Sequence, residues 1–157
     1  MNVDERQDAY DQAIRRIGDL IAGENDLVAI TATVACELHQ SFDYFDWTGF
    51  YRVVAPGLLK IGPYQGAHGC LAIPFERGVC GAAARLGQTQ VVPDVRAFSG
   101  HIACSASTRS EIVVPVFAAG KLVAVLDVDS DQLDAFGAVD RVNLEKVCRM
   151  VGQAVGD

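Results

Sequence analysis

The chain has 157 residues, 50% of them hydrophobic and 21% charged, which is enough apolar material for a packed core in one domain spanning residues 1–157. With 13 basic residues against 20 acidic, the net charge is -7, a field that repels phosphate backbones and anionic lipid and so argues against nucleic acid and membrane partners. No apolar run approaches the ~20 residues of a membrane span, and the charged N-terminus lacks the apolar stretch of a secretory signal, so a cytoplasmic location is expected.

All 5 prolines fall between Pro56 and Pro115, as do most of the glycines, so breakers punctuate the middle and spare the ends. Residues 3–22 place Tyr10, Ala13, Ile14, Ile17 and Ile21 at helical spacing, with Gly23 as a stop. Asn25 is positioned to cap a second helix whose inward face is Leu27, Ile30, Thr31, Val34 and Leu38. Asp46–Val54 is aromatic and β-branched, and Pro56-Gly57 turns it into a strand over Leu58–Gly62. A short strand at Leu71–Ile73, a helix at Val79–Leu86 and an extended piece at Gln90–Pro93 follow, then a polar loop. Glu111–Phe117 and Lys121–Asp129 form a hairpin through Ala118-Ala119-Gly120. A last helix over residues 138–154 presents Leu144, Val147, Cys148, Val151 and, just past it, Val155. These elements predict an α+β fold, an antiparallel sheet with the terminal helices packed on one face.

Three acids stand out on the hairpin. Strand alternation puts Val123, Val125, Asp127 and Asp129 on one face and Leu122, Ala124, Leu126 and Val128 on the other. Pairing across the turn brings Glu111 close to Asp129. Strand ends are often solvated, but like charges at this spacing repel. A bound cation, or a carboxyl kept protonated as an acid, would account for the cluster.

An odd number of cysteines in a reducing compartment is not a structural disulfide framework. Cys36 and Cys148 fall on apolar helix faces, where a thiol packs as a small hydrophobe. Cys70, Cys80 and Cys104 lie among glycines and polar loops, and Cys104 immediately precedes the acidic hairpin. His68, Cys70, Cys80, His101 and Cys104 could supply zinc ligands, yet no CxxC or HxxxH pair nucleates a site, so no metal is expected. Trp47, the one tryptophan, is either a core residue of its strand or a pocket wall.

The segments Asp46-Trp47-Thr48-Gly49-Phe50-Tyr51, Gly62-Pro63-Tyr64-Gln65-Gly66, Ile73-Pro74-Phe75 and Gly78-Val79-Cys80-Gly81 resemble those of the free methionine-(R)-sulfoxide reductases. So do Val91-Val92-Pro93-Asp94-Val95, Gly100-His101-Ile102-Ala103-Cys104, Arg109-Ser110-Glu111-Ile112-Val113-Val114-Pro115 and Leu126-Asp127-Val128-Asp129-Ser130. The resemblance is densest from residue 46 to 130 and implies a single GAF domain. It also implies that Cys104 is the catalytic cysteine, Cys70 the resolving cysteine and Cys80 a third cysteine near the substrate. Glu111, Asp127 and Asp129 would be the pocket carboxylates and Trp47 a substrate-lining indole. No cofactor is implied. Free methionine sulfoxide would be reduced through a sulfenic acid at Cys104 and a disulfide with Cys70, recycled by thioredoxin. A homodimer through the terminal helices is a further implication. Acids beside Cys104 should raise its pKa, a tension that proton donation, His101 or a helix N-terminus would offset. The rival reading is a GAF module that senses a small ligand or redox state without turnover. The sequence offers no effector domain or coiled-coil linker to receive such a signal.

Overall fold

The computed structural model describes residues 1–102 and 104–156. Ala103, within the glycine-to-cysteine segment quoted above, and Asp157 lie outside the described residues. The chain runs α1 (Val3–Leu20), α2 (Leu27–Ser41), β1 (Trp47–Ala55), β2 (Leu58–Gln65), β3 (Ala72–Pro74), α3 (Gly78–Leu86), β4 (Gln90–Val92), β5 (Ser110–Ala118), β6 (Lys121–Ser130) and α4 (Ala138–Gly156). The six strands form one sheet in the order β3-β2-β1-β6-β5-β4, and each neighbouring pair is antiparallel.

The sheet separates two apolar clusters. On one face α1, α2 and α4 pack Tyr10, Ile17, Ile30, Val34, Leu38, Leu144, Val147 and Val151 against Phe50, Ile112, Val114, Leu126 and Val128. Fully burying such side chains contributes about 1.5–3 kcal/mol each. On the other face α3 and the connecting segments cover Trp47, Tyr51, Leu59, Val113 and Val125. The alternation in β5 and β6 therefore decides which residues reach this second face, and it delivers the acids there. The α+β arrangement with terminal helices on one face is as expected. Among the described residues no helix is long and apolar enough to cross a membrane.

Local chemistry explains the elements and corrects several boundaries. Asn2 and Glu5 form a reciprocal capping box at the start of α1. This helix ends at Leu20, short of Gly23, with Ile21 as its C-cap. The cap of α2 is Asp26 rather than Asn25, its carboxylate accepting from the Ala29 N–H at 2.8 Å. Strand β2 continues to Gln65 instead of stopping at Gly62. Pro63 is tolerated because the pairing with β1 is irregular there, and because β3 pairs only with residues 58–60 of β2. Near the hairpin turn the β5–β6 register shifts between Val116 and Phe117, leaving Val123 as an extra residue. The strict alternation expected for this end is thereby broken. Val123 packs against the helix-side core and Leu122 against the opposite cluster.

Candidate active site

The acids of the hairpin meet as the alternation requires. Glu111 lies directly across from Asp129, and Val113 across from Asp127, while β1 places Trp47 opposite Asp129 and Gly49 opposite Asp127. Three strands thus converge on one spot, and α3 closes over it. Glu111, Asp127 and Asp129 line a cleft together with Trp47, Tyr51, Val79, Cys80, His101, Ile102 and Cys104.

At the mouth Cys70 and Cys104 form a disulfide, with Cα atoms 5.4 Å apart. Cys104 is exposed and Cys70 half-buried. The loop that carries Cys70 is anchored from behind: the Trp47 indole N–H donates to the Ala67 carbonyl at 2.8 Å. Gly69 allows this approach. A Cβ there would stand 2.9 Å from the Trp47 ring and 3.0 Å from the Tyr51 hydroxyl. Trp47 stacks between Tyr51 and Tyr64, with ring centroids 5.8 and 5.2 Å away, which fixes the indole as one wall.

The Cys104 loop and α3 are joined as well. The Gly78 N–H donates to the Gly100 carbonyl at 3.0 Å. Gly78 has φ of +69° and a Cβ on it would press on Ile102, so glycine suits both the turn and the contact. No side chain caps α3. Gly78, Val79 and Cys80, the first residues of α3, line the cleft, so the positive end of the helix faces it.

Burial governs the electrostatics of the floor. Glu111 and Asp129 have pKa values pushed well above the carboxylate range, first by loss of water and then by the Asp127 charge. Asp127 is also raised by burial, but Glu111, Cys80 and Asp129 surround it and offset part of the rise by directing protons toward it. Among the described residues, Oδ1 of Asp127 and Oδ1 of Asp129 have no hydrogen-bond partner. The three carboxyls titrate as a coupled set in which burial favours the protonated forms, so the floor of the cleft holds a neutral acid. The Cys80 thiol is raised by burial and by the same acids, and its sulfur lies 4.0 Å from Glu111 Oε1. His101 Nε2 is 3.8 Å from Glu111 Oε2, and burial lowers the His101 pKa from its ordinary value.

The seven residues singled out in the sequence, Trp47, Cys70, Cys80, Cys104, Glu111, Asp127 and Asp129, are brought together. The zinc donor set is not: Cys70 and Cys104 are bonded to each other, and the donors that converge are Cys80, Glu111 and Asp127. Tyr51 was missed. Its signal was the period of two along β1, which puts it on the face of Trp47 and Gly49. Cys148 is buried in the helix-side core as expected, whereas Cys36 is only half-buried and accepts from Gln40.

The sequence signature of the GAF domain family matches residues 7–155. The free methionine-R-sulfoxide reductase of Escherichia coli is 37% identical over 138 residues, covering 88% of this chain and 83% of that one. The chain belongs to the free methionine-R-sulfoxide reductase family of GAF domains. Solved structures of that family superpose closely. The reductase from Neisseria meningitidis, crystallised in complex with its substrate, has a TM-score of 0.89 at 41% identity, over 93% of this chain and 87% of that one. The reduced form of fRMsr from Staphylococcus aureus has a TM-score of 0.89 at 38% identity, over 93% and 94% of the two chains.

Proposed function

We propose that the protein reduces free methionine-(R)-sulfoxide to methionine, with Cys104 as the nucleophile, Cys70 as the resolving thiol and a dithiol protein such as thioredoxin as the reductant. One observation carries this reading above the rest: a disulfide stands at the mouth of a cleft whose floor is three carboxyls, those of Glu111 and Asp127 buried and that of Asp129 half-buried. Once reduced to its two thiols, that cysteine pair is a two-electron donor beside a proton donor, the two things a sulfoxide needs to lose its oxygen.

In the reduced protein the Cys104 sulfur attacks the sulfoxide sulfur while a protonated carboxyl, Glu111 or Asp129, gives its proton to the oxygen. The oxygen passes to Cys104, methionine departs with its sulfur lone pair restored, and Cys104 is left as a sulfenic acid. The Cys70 sulfur then attacks Cys104. Its proton and the displaced hydroxide leave as water, and the disulfide forms. An external dithiol is oxidised to its own disulfide as it returns both thiols. Two electrons and two protons balance one oxygen lost as water.

The cleft suits a free amino acid. Asp127, with an oxygen unpartnered among the described residues, would take the ammonium. The uncapped N-terminus of α3 would take the carboxylate. Trp47 and Tyr51 would hold the thioether end. Residues 1–157 would act as one GAF domain in the cytoplasm, where the thiols are kept reduced.

The test compares free, N-acetylated and peptide-bound methionine sulfoxide under one dithiol, with methionine as the readout. The free (R) epimer should be consumed. The N-acetyl compound should react roughly 10- to 150-fold more slowly for loss of one buried charge-assisted contact. No methionine above background from the free (R) epimer overturns the enzymatic reading in favour of a sensing module. Equal rates on all three substrates overturn the ammonium site.

A further inference from the structure

We propose that the floor of the cleft is also a binding site for a soft divalent cation of the zinc or cadmium class, held by Cys80 Sγ and by one oxygen each of Glu111 and Asp127. These three ligand atoms lie within 4.8 Å of one another, and the sulfur is 4.0 Å from Glu111 Oε1. Around tetrahedral zinc, with bonds of about 2.0–2.3 Å, ligand atoms stand roughly 3.5 Å apart. Rotamer adjustments of about an ångström close that gap.

The three ligands come from α3, β5 and β6, so the framework of the fold holds them in place. A second observation points to a ligand independently of the clustering. Asp127 is 5% exposed, lines the cleft, and has an Oδ1 with no hydrogen-bond partner among the described residues. A buried polar atom in that condition costs about 1–3 kcal/mol until something occupies it.

The donor types decide which ion. A thiolate with two carboxylates selects zinc or cadmium, whereas magnesium and calcium take all-oxygen shells. Binding displaces the protons of the Cys80 thiol and the Glu111 carboxyl to solvent, forms the metal–sulfur and metal–oxygen bonds, and leaves a fourth position for water. Cys70 and Cys104 are not ligands, so the site exists in the disulfide-closed protein. On the reductase reading, Glu111 and Asp127 also serve the sulfoxide substrate, so cation and substrate exclude each other.

Binding is measured on the protein itself, apart from turnover, so failure of this proposal and failure of the reductase reading are distinguishable. Disulfide-closed protein is titrated with Co²⁺ and then with Zn²⁺. One equivalent of Co²⁺ should give a sulfur-to-metal charge-transfer band that Zn²⁺ abolishes and Mg²⁺ leaves unchanged. Cys80→Ser should remove the band and weaken Zn²⁺ binding at least ~10-fold, since even supporting residues cost that much. The Cys70→Ser/Cys104→Ser double variant should keep the band. X-ray absorption of the zinc-loaded wild type should show one sulfur and otherwise oxygen ligands, a measurement that needs no variant to fold. No band in the wild type, a band that survives Cys80→Ser, a band lost in the double variant, or more than one sulfur at zinc would each overturn the proposal.

Discussion

Glu111 and Asp129 are folded into a place where their charged forms are unwelcome. Burial raises both pKa values, so in the native state each holds its proton to a higher pH than in the unfolded chain. Stability from that preference is complete below the unfolded value of about pH 4 and is lost as pH rises toward the raised folded values. Glu111→Gln removes the titration and keeps the shape. Its urea midpoint should exceed that of the wild type at neutral pH, with the difference fading below about pH 4, while sulfoxide reduction falls at least ~10-fold. A midpoint unchanged at both pH values would show that Glu111 is not desolvated. The cysteines give a sharper series. Cys104→Ser should abolish reduction, and Cys70→Ser should release about one equivalent of methionine and then stall with thioredoxin. Cycling of Cys70→Ser at the wild-type rate would rule out its resolving role. These residues were legible because the alternation at 125–129 is strict and the pairing across a short turn is forced. Val123 was not, because a bulge depends on how two strands fit rather than on either one alone.

Among the elements, α4 is held by a device that no spacing rule announces. Asp140 is fully buried and accepts from the Tyr10 hydroxyl at 2.8 Å, the Tyr44 hydroxyl at 2.6 Å, Arg6 at 2.6 Å and the Gly137 N–H at 2.8 Å. Arg6 also lies over the Tyr44 ring, 4.4 Å from its centroid. One carboxylate thus ties α1, the segment before β1 and the start of α4 together beneath the sheet. Asp140→Ala should cost about 3–5 kcal/mol, because Arg6 loses its partner while two buried hydroxyls lose their acceptor. Denaturant unfolding checks this, and a loss under 1 kcal/mol would show that the network relaxes into solvent. In the sequence Asp140 reads as one more acid in a helix's first turn, since its partners lie about 100 residues or more away. The helices themselves were easy to see from apolar spacing. Their caps were less so: Asn25 and Asp26 are both good capping residues, and only the geometry of the turn selects Asp26.

For the whole molecule, the Cys70–Cys104 bond closes a loop of 34 residues that contains β3, α3 and β4, the lid and one edge of the cleft. Chain-entropy reasoning assigns a loop of that length about 4 kcal/mol of stabilisation against unfolding. Reduction should therefore lower the melting temperature by roughly 8–15 °C in a domain of this size, read by a thermal melt with and without a non-thiol reductant. An unchanged melt would mean that the lid is held by packing alone. The same free energy has an electrochemical side. Whatever the disulfide adds to the fold, the fold returns to the disulfide, so about 4 kcal/mol corresponds to a reduction potential roughly 80 mV more negative than that of the same pair in an unfolded chain. Such a bond would resist casual thiols and yield to a strongly reducing dithiol, so on the proposed mechanism the spacing of two cysteines along the chain sets which electron donors can drive a second cycle.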